Sequence, residues 1–157
     1  MSSHSALLEE IGSMLIDCEL FTHLSPAELR AAAHYFSISK IEEGEAIFEE
    51  GDLGTFMCIV ESGNISVLKE NHDGDQVVVA KLGHGRAFGE MAVLDGERRS
   101  ATCEAAEDSI LLTLSQEALD KMLEEHPRVG AHIIRAIAIS LSRRLRMAVG
   151  QLVDYIV

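Results

Sequence analysis

The residues best suited to chemistry are a Gly-Glu pair and an Arg-Ser pair within residues 88–102. A helix that begins at Gly89 and Glu90 leaves its first backbone N–H groups without intrahelical partners, and these groups attract an anion together with the positive end of the helix dipole. Arg99 carries a planar guanidinium that suits two phosphate oxygens, and the Ser100 hydroxyl can donate one more hydrogen bond. The stretch therefore predicts a phosphate-binding site.

Glu90 is the unexpected member of this set, because a carboxylate beside a phosphate repels it. The repulsion is offset when the carboxylate accepts hydrogen bonds from another part of the same ligand, such as a sugar hydroxyl. A phosphate and a sugar hydroxyl together indicate a nucleotide.

The run from Phe88 to Thr102, FGEMAVLDGERRSAT, resembles the phosphate-binding cassette of cyclic nucleotide-binding domains, which reads F-G-E-x-A-L, a short loop, then R-S/T-A-T. The upstream glycines Gly44, Gly51 and Gly63 also resemble the turn positions of that family's β-roll. The resemblance covers roughly residues 20–149. Arg98 is a departure, since many members of the family have proline there.

The resemblance implies a role for each matching residue. Backbone N–H groups of Gly89 and the residues after it would bind the cyclic phosphate, Glu90 would bind the ribose 2'-hydroxyl, and Arg99 would pair with the phosphate. The implied ligand is cAMP, with cGMP left open, and no metal is expected. The expected ligand-binding residues are Phe88, Gly89, Glu90, Met91, Ala92, Arg98, Arg99, Ser100 and Ala101.

Charge is unevenly distributed along the 157 residues, whose formal net charge is -13. Acidic residues dominate residues 1–80, whereas residues 126–157 hold five arginines and one acid. So acidic a chain is a poor candidate for sequence-independent DNA binding, which relies on many Lys and Arg contacts to phosphates. Positive charge near the predicted site comes from Lys81, Arg86, Arg98 and Arg99.

The hydropathy pattern and the cysteines indicate where the protein is expected to reside and whether it contains disulfides or a metal cluster. No apolar run approaches the roughly 20 residues that cross a bilayer, and the polar and acidic start does not resemble a secretory signal. We therefore expect a cytoplasmic protein without a membrane partner. Cys18, Cys58 and Cys103 are widely spaced and form no C-x-x-C pair, so we expect small core residues rather than disulfides or a metal cluster.

The pattern of apolar residues predicts a mainly β fold with flanking helices, arranged as a single domain over residues 1–157. N-terminal helices occupy residues 1–36, a jelly-roll-like β-roll (double-stranded β-helix) occupies 37–114 with the cassette at 88–102, and C-terminal helices occupy 115–157. Predicted helix starts are the capping residues Ser25 and Ser115, and Pro127 begins the long C-terminal helix. Predicted strands are Ser37 to Ile41, Ala46 to Glu49, Phe56 to Glu61, Asn64 to Glu70, Gln76 to Leu82, Ser100 to Ala105 and Ser109 to Leu114.

Apolar residues of the long C-terminal helix alternate four and three apart, which is the spacing of a coiled-coil seam. They are Ile134, Ala138, Leu141, Leu145, Ala148 and Leu152. Two interpretations remain open: the seam joins two subunits, or it packs on the chain's own roll. In the family this helix lies beside the nucleotide, but the polar lid residues of some bacterial regulators are replaced here by Ala148 and Val149.

Other chemistries fit the residues less well. A cupin-type metal site needs an H-x-H pair and a Glu at short spacing, and only His84 and Glu90 fall in range. Ser100 lies beside an Arg rather than near an identifiable base, so no nucleophile is indicated. A fold that has lost its ligand is a further alternative, although Glu90 and Arg99 are retained.

The sequence thus predicts a non-enzymatic regulatory module that binds a cyclic nucleotide and shifts its C-terminal helices on binding. Its expected partners are the nucleotide, a second copy of the chain through the C-terminal helix, and a downstream protein. The alternative is a transcription regulator of the cyclic-AMP receptor type without its helix-turn-helix domain, in which case no direct DNA binding is expected from this chain.

Overall fold

Eight antiparallel strands form two four-stranded sheets in the computed structural model, which describes residues 2–156 and, at the level of side chains, residues 3–152. The strand orders are β1-β8-β3-β6 and β2-β7-β4-β5. The strands are β1 (Ser37–Ile41), β2 (Ala46–Phe48), β3 (Phe56–Ser62), β4 (Ile65–Glu70), β5 (Gln76–Leu82), β6 (Ala87–Phe88), β7 (Thr102–Ala105) and β8 (Ser109–Ser115). The predicted β-roll is confirmed.

Within the described residues, five α-helices flank the roll: α1 (Ser2–Ile16), α2 (Pro26–Ala33), α3 (Glu90–Asp95), α4 (Gln116–Glu125) and α5 (Pro127–Ile156). A 3-10 turn, Glu19–Phe21, follows α1. Ser25 caps α2 in a reciprocal arrangement with Glu28, and Ser115 caps α4, as the sequence predicts. None of the helices in this part of the chain is long and apolar enough to span a membrane.

Two apolar cores share the sheet that contains β3, because alternate side chains of a strand point to opposite faces. Cys58 and Val60 face the interior of the roll, where they join residues of both sheets. Met57 and Ile59 face the other way and pack with α1, α2, α4 and α5. The helices are therefore anchored on the outer face of this sheet, and the interior of the roll is left to shape the site.

The long helix α5 divides into a packed part and an exposed part. Val129, Ile133 and Ile137 are buried in the helical core. Further along, Leu145 is 66% exposed and Leu152 is 60% exposed. Of the predicted seam, Ile134 and Leu141 are partly buried against this core, whereas Leu145 and Leu152 belong to an uncovered apolar stripe.

Two features of the strands near the cassette differ from the prediction: one extra strand and one strand boundary. The two-residue strand β6 was not predicted, since so short a segment carries no detectable alternation. Strand β7 begins at Thr102 rather than Ser100, because its ladder with β4 ends at the pair Leu68 and Thr102. Ser100 and Ala101 therefore lie outside the ladder, next to the start of β7.

Candidate functional site

A cavity of about 540 Å³ opens between the roll, α3 and α5. This size is ordinary for a small-molecule pocket. All nine residues expected to bind the ligand line it: Phe88, Gly89, Glu90, Met91, Ala92, Arg98, Arg99, Ser100 and Ala101. The structure therefore brings residues 88–92 and residues 98–101 together at one cavity, although a loop separates them in the sequence.

Gly89 is required by both its conformation and its surroundings. Its φ is 77°, in the left-handed region that favours glycine. A Cβ at this position would lie 2.7 Å from Arg99 Nη1 and 3.3 Å from the Phe56 carbonyl oxygen. Gly89 is also the N-cap of α3 and offers no side-chain hydrogen bond to the helix. The first N–H groups of α3 therefore remain available to a ligand.

Arg99 lies at the wall of the cavity and is only 5% exposed. Its Nη1 donates to the Gly89 carbonyl oxygen at 3.0 Å, and its Nη2 donates to the Phe56 carbonyl oxygen at 2.6 Å. The guanidinium carbon is 3.8 Å from the centre of the Phe48 ring and 4.7 Å from that of Phe56. Two rings and two neutral carbonyls thus hold a buried cation.

The charge of Arg99 has no anionic partner among the side chains that the structure describes. Among side chains 3–152, no carboxylate pairs with it, and its buried Nε has no hydrogen-bond partner. Burial lowers the pKa of Arg99, although a guanidinium stays protonated in proteins. An anion that enters the cavity would therefore satisfy an uncompensated buried charge.

Glu90, the other charged residue of the pattern, is 3% exposed and forms an ion pair with Arg144 of α5. Burial lowers the pKa of Arg144, with Glu19 acting in the opposite direction. Arg144 was not predicted as a site residue. The available signal was the cluster of five arginines after residue 126, but the distance along the chain gave no reason to join one of them to Glu90.

The charges around the cavity nearly balance. Five arginines line it: Arg86, Arg98, Arg99, Arg143 and Arg144. Four carboxylates line it as well: Glu19, Glu90, Asp95 and Glu97. The excess is one positive charge. Lys81, which the sequence placed near the site, is not among the lining residues, because its neighbours Ala80 and Leu82 take the inward positions of β5.

Helix α5 closes one side of the cavity with Ala136, Ile139, Ser140, Arg143 and Arg144. Ala148 and Val149, the positions compared with lid residues, are absent from the lining, and Val149 is 52% exposed. The part of α5 that meets the cavity therefore comes before the positions that the resemblance indicated.

The groups considered for other chemistries lie apart. His84 contacts the Glu61 carbonyl oxygen and the Asp17 carboxylate, rather than Glu90. Within the described residues, no three His, Cys, Asp or Glu side chains are grouped to hold a metal ion. Cys103 lines the cavity, but burial raises its pKa to about 12, which keeps the thiol neutral and unreactive.

Known proteins resemble this chain in sequence and fold. Residues 38–126 match the family model of the cyclic nucleotide-binding domain. A cyclic AMP receptor protein from Thermus thermophilus is 39% identical over 129 residues, which cover 82% of this chain and 58% of that protein. A cAMP-dependent protein kinase regulatory subunit from Mycosarcoma maydis is 34% identical over 127 residues, which cover 78% of this chain and 23% of the relative.

The crystal structure of a cyclic nucleotide-binding domain from Methylobacillus flagellatus superposes with a TM-score of 0.80 at 27% identity, over 94% of this chain and 83% of that one. The chain spans 58% of the length of the Thermus relative and less of the kinase subunit. The family match nevertheless includes nearly all of the β-roll and the whole cassette. The chain belongs to the cyclic nucleotide-binding domain family.

Proposed function

We propose that this chain is a non-enzymatic sensor that binds cAMP in the cavity beside Arg99. The observation that carries the proposal is the buried, anion-free guanidinium of Arg99 next to the free N–H groups at the start of α3. A cyclic phosphate would bind both and would satisfy them together. The names of the Thermus and Mycosarcoma relatives support the same ligand.

The charges of the cavity suit this ligand. A 3',5'-cyclic phosphate carries a single negative charge, which matches the excess of one positive charge among the lining residues. Glu90 would accept a hydrogen bond from the ribose 2'-hydroxyl, which is the role that offsets its repulsion of the phosphate. Arg98 is exposed and donates to the Gly51 carbonyl oxygen, so we assign it a secondary, long-range contribution.

The output would pass through α5. Glu90 is shared between the proposed ribose site and Arg144, so the ligand and the helix make contact with the same carboxylate. A ligand shifts a conformational balance only through unequal affinity for the two states. Competition for Glu90 would supply that difference and move α5 relative to the roll.

The exposed apolar stripe of α5 supports a homodimer as the form of the protein that transmits the signal. Leu145 and Leu152 are seven residues apart, which places them on the same side of the helix, and both are largely exposed. A second copy of α5 would bury them. We also propose that residues 1–157 act as one domain, with a downstream protein as the receiver of the signal.

The similarity to a cyclic AMP receptor protein favours a second candidate function, the regulatory part of a transcription regulator. Direct DNA reading would then come from a further domain. The discriminating observation is the reading frame of the gene beyond codon 157, where a helix-turn-helix segment would support this candidate.

Isothermal titration calorimetry on the wild-type chain tests the main proposal. We expect binding of cAMP, with 5'-AMP at least about a hundredfold weaker because its second negative charge exceeds the excess charge of the cavity. Titration with cGMP then shows which of the two cyclic nucleotides binds more tightly. Binding of 5'-AMP as tightly as cAMP, or no binding of either cyclic nucleotide, would overturn the proposal. Chromatography after prolonged incubation should show intact cAMP if the chain is not an enzyme.

A further inference from the structure

A second cavity, of about 330 Å³, lies between α5 and the segment that follows α1. The residues that line it are Leu20, His23, Leu24, His132, Arg135, Ala136 and Ile139. Four of these seven also line the cavity beside Arg99, whereas Leu24, His132 and Arg135 belong to the second cavity alone. The two cavities are therefore neighbours, and the second has a set of residues of its own.

Hydrogen bonds and packing fix both walls of the second cavity. On one wall, the Leu24 N–H donates to the Phe21 carbonyl oxygen at 3.1 Å, and Phe21 is buried in the helical core. On the other wall, Ile133 and Ile137 anchor α5 in the same core. The α5 residues of the cavity are spaced three and four apart, so they share one face of the helix. The cavity is therefore formed without a ligand.

Most of the lining is aliphatic. The four aliphatic residues are Leu20, Leu24, Ala136 and Ile139. Leu20 is buried, but Ile139 is 41% exposed, although it is a large apolar side chain. A mostly apolar cavity with a few polar groups is typical of small-molecule sites, and this volume lies at the lower end of their range. An aliphatic chain in the cavity would remove the exposed part of Ile139 from water.

The polar part of the lining is basic. It consists of His23, His132 and Arg135, and no carboxylate is among the lining residues, although the formal net charge of the chain is -13. Within side chains 3–152, Arg135 forms no ion pair. The cavity therefore presents a cation whose charge is not balanced by a neighbouring carboxylate.

The carboxylate that contacts His132 is already engaged. Glu28 Oε1 accepts a hydrogen bond from the Ser25 N–H at 3.1 Å as part of the cap of α2. Glu28 Oε2 lies 3.3 Å from His132 Nδ1. This contact occupies one ring nitrogen of His132 and leaves Nε2 as a second hydrogen-bonding atom. Glu28 thus orients the ring of His132.

An aliphatic surface beside an arginine selects a particular kind of ligand. A small inorganic anion would leave the aliphatic surface uncovered, and a cation would be repelled by Arg135. An extended peptide is disfavoured, because neither wall is a strand edge that could pair with its backbone. The remaining match is an anion with an aliphatic chain, since a carboxylate suits the planar guanidinium.

We propose that the second cavity binds a medium-chain aliphatic carboxylic acid, with its chain against Leu24 and Ile139 and its carboxylate beside Arg135 and His132. The inference goes beyond the proposed function and does not depend on it. The ligand would contact α5 three to four residues before the part of the helix that meets the cavity beside Arg99.

The test uses octanoate as the probe, titrated into the isotope-labelled full chain without nucleotide and followed by amide NMR spectra. We expect saturable shifts that include Leu24, His132 and Arg135, with a Kd below about 1 mM. Octylammonium has the same chain with the opposite charge and should bind at least about tenfold more weakly. Acetate, which has no chain to bury, should cause no saturable shift.

Arg135→Met should weaken octanoate binding about tenfold, as expected for the loss of a hydrogen bond between charged groups. Arg135→Lys keeps the positive charge and should retain most of the affinity. Arg128→Met is the matched control, because Arg128 is an exposed arginine two helical turns earlier on the same side of α5 and does not line the cavity. It should bind octanoate like the wild type.

Several results would overturn the inference. They are the absence of a saturable shift with octanoate, equal affinity for octylammonium, and unchanged affinity in Arg135→Met. Shifts that include Gly89, Ser100 and Ala101 but omit Leu24 and Arg135 would do so as well, because they would place octanoate in the cavity beside Arg99. The comparison of octanoate with octylammonium uses the wild type alone, so it decides the matter even if Arg135→Met is unstable.

Discussion

The carboxylate of Glu90, in the first turn of α3, is ion-paired with the guanidinium of Arg144 on α5. Glu90 is buried, whereas Arg144 is 54% exposed, so the pair joins the interior of the site to a helix at its edge. In the proposed mechanism the ribose hydroxyl binds the same carboxylate. The energetic coupling between ligand and helix is then reciprocal, because anything that holds α5 away from Glu90 also changes ligand affinity.

Replacing Arg144 by methionine should destabilise the free protein by about 1–2 kcal/mol, because it leaves a buried carboxylate unpaired. The estimate is lower than for a fully buried pair, since the exposed part of Arg144 is screened by solvent. Urea denaturation measures the change. Saturating cAMP should reduce the difference from the wild type, because the ribose hydroxyl then satisfies Glu90.

Arg146→Met is the control for this variant, because Arg146 is exposed on the same helix and does not line the cavity. Its free energy of unfolding should equal that of the wild type. Equal stability of the Arg144 and Arg146 variants would show that the ion pair contributes nothing and would remove the proposed link between ligand and helix.

Glu90→Gln should abolish discrimination at the sugar. The wild type should bind cAMP about tenfold more tightly than 2'-deoxy-cAMP, because only the former donates a hydrogen bond to the carboxylate. In the variant the two ligands should bind within about threefold of each other, since the amide makes a weaker hydrogen bond. Competition titrations with both ligands provide the comparison. A wild type that fails to discriminate would contradict the role given to Glu90.

We expect the free energy of unfolding to depend on pH through His84. Its Nδ1 lies 2.5 Å from the Glu61 carbonyl oxygen and its Nε2 lies 3.2 Å from Asp17 Oδ2. The contact with the Glu61 carbonyl, followed by that with Asp17, raises the pKa of His84 in the folded state. The contribution to stability is therefore fully present below the unfolded pKa of about 6.5 and is lost as pH rises through the folded pKa.

His84→Gln should accordingly lose more stability at about pH 5.5 than at about pH 8.5. Urea denaturation of both proteins at the two pH values gives the comparison. The same loss at both values would show that His84 contributes only as a neutral hydrogen-bonding group.

The exposed stripe of α5 predicts a dimer that depends on Leu145. Light scattering coupled to size exclusion should show the wild type as a dimer and Leu145→Glu shifted toward monomer, because a buried charge at the seam is costly. Met147→Glu is the control: Met147 is 65% exposed but projects from nearly the opposite side of the helix. Equal masses for the two variants would exclude this seam as the interface.

Local patterns explain why much of this structure was predictable from the sequence. The caps at Ser25 and Ser115 and the strand periodicity depend on neighbouring residues, and the structure contains both caps and all seven predicted strands, with the short β6 in addition. The cassette is also a local pattern, and the nine residues that it marks as ligand-binding line one cavity in the structure. Assignment of ligand roles to those residues remains a prediction.

Contacts between distant segments were not predictable. The pairing of Glu90 with Arg144 and the hydrogen bond from Lys69 to the Ser100 carbonyl depend on how α5 and β4 pack against the cassette. Neither the periodicity of apolar residues nor the spacing of motifs predicts which of these distant residues are in contact. Arg144, which pairs with Glu90, is one of five arginines in residues 126–157, and nothing in the sequence distinguishes it from the other four.

The most direct measurement is calorimetric titration of cAMP into Arg99→Met and Arg98→Met. Both variants remove one arginine from the same loop, but only Arg99 is buried at the cavity wall. We predict that Arg99→Met weakens cAMP binding by about 2–5 kcal/mol, while Arg98→Met stays within about 1 kcal/mol of the wild type. Equal affinity of Arg99→Met and the wild type for cAMP, with both proteins folded, would show that Arg99 does not bind the cyclic phosphate.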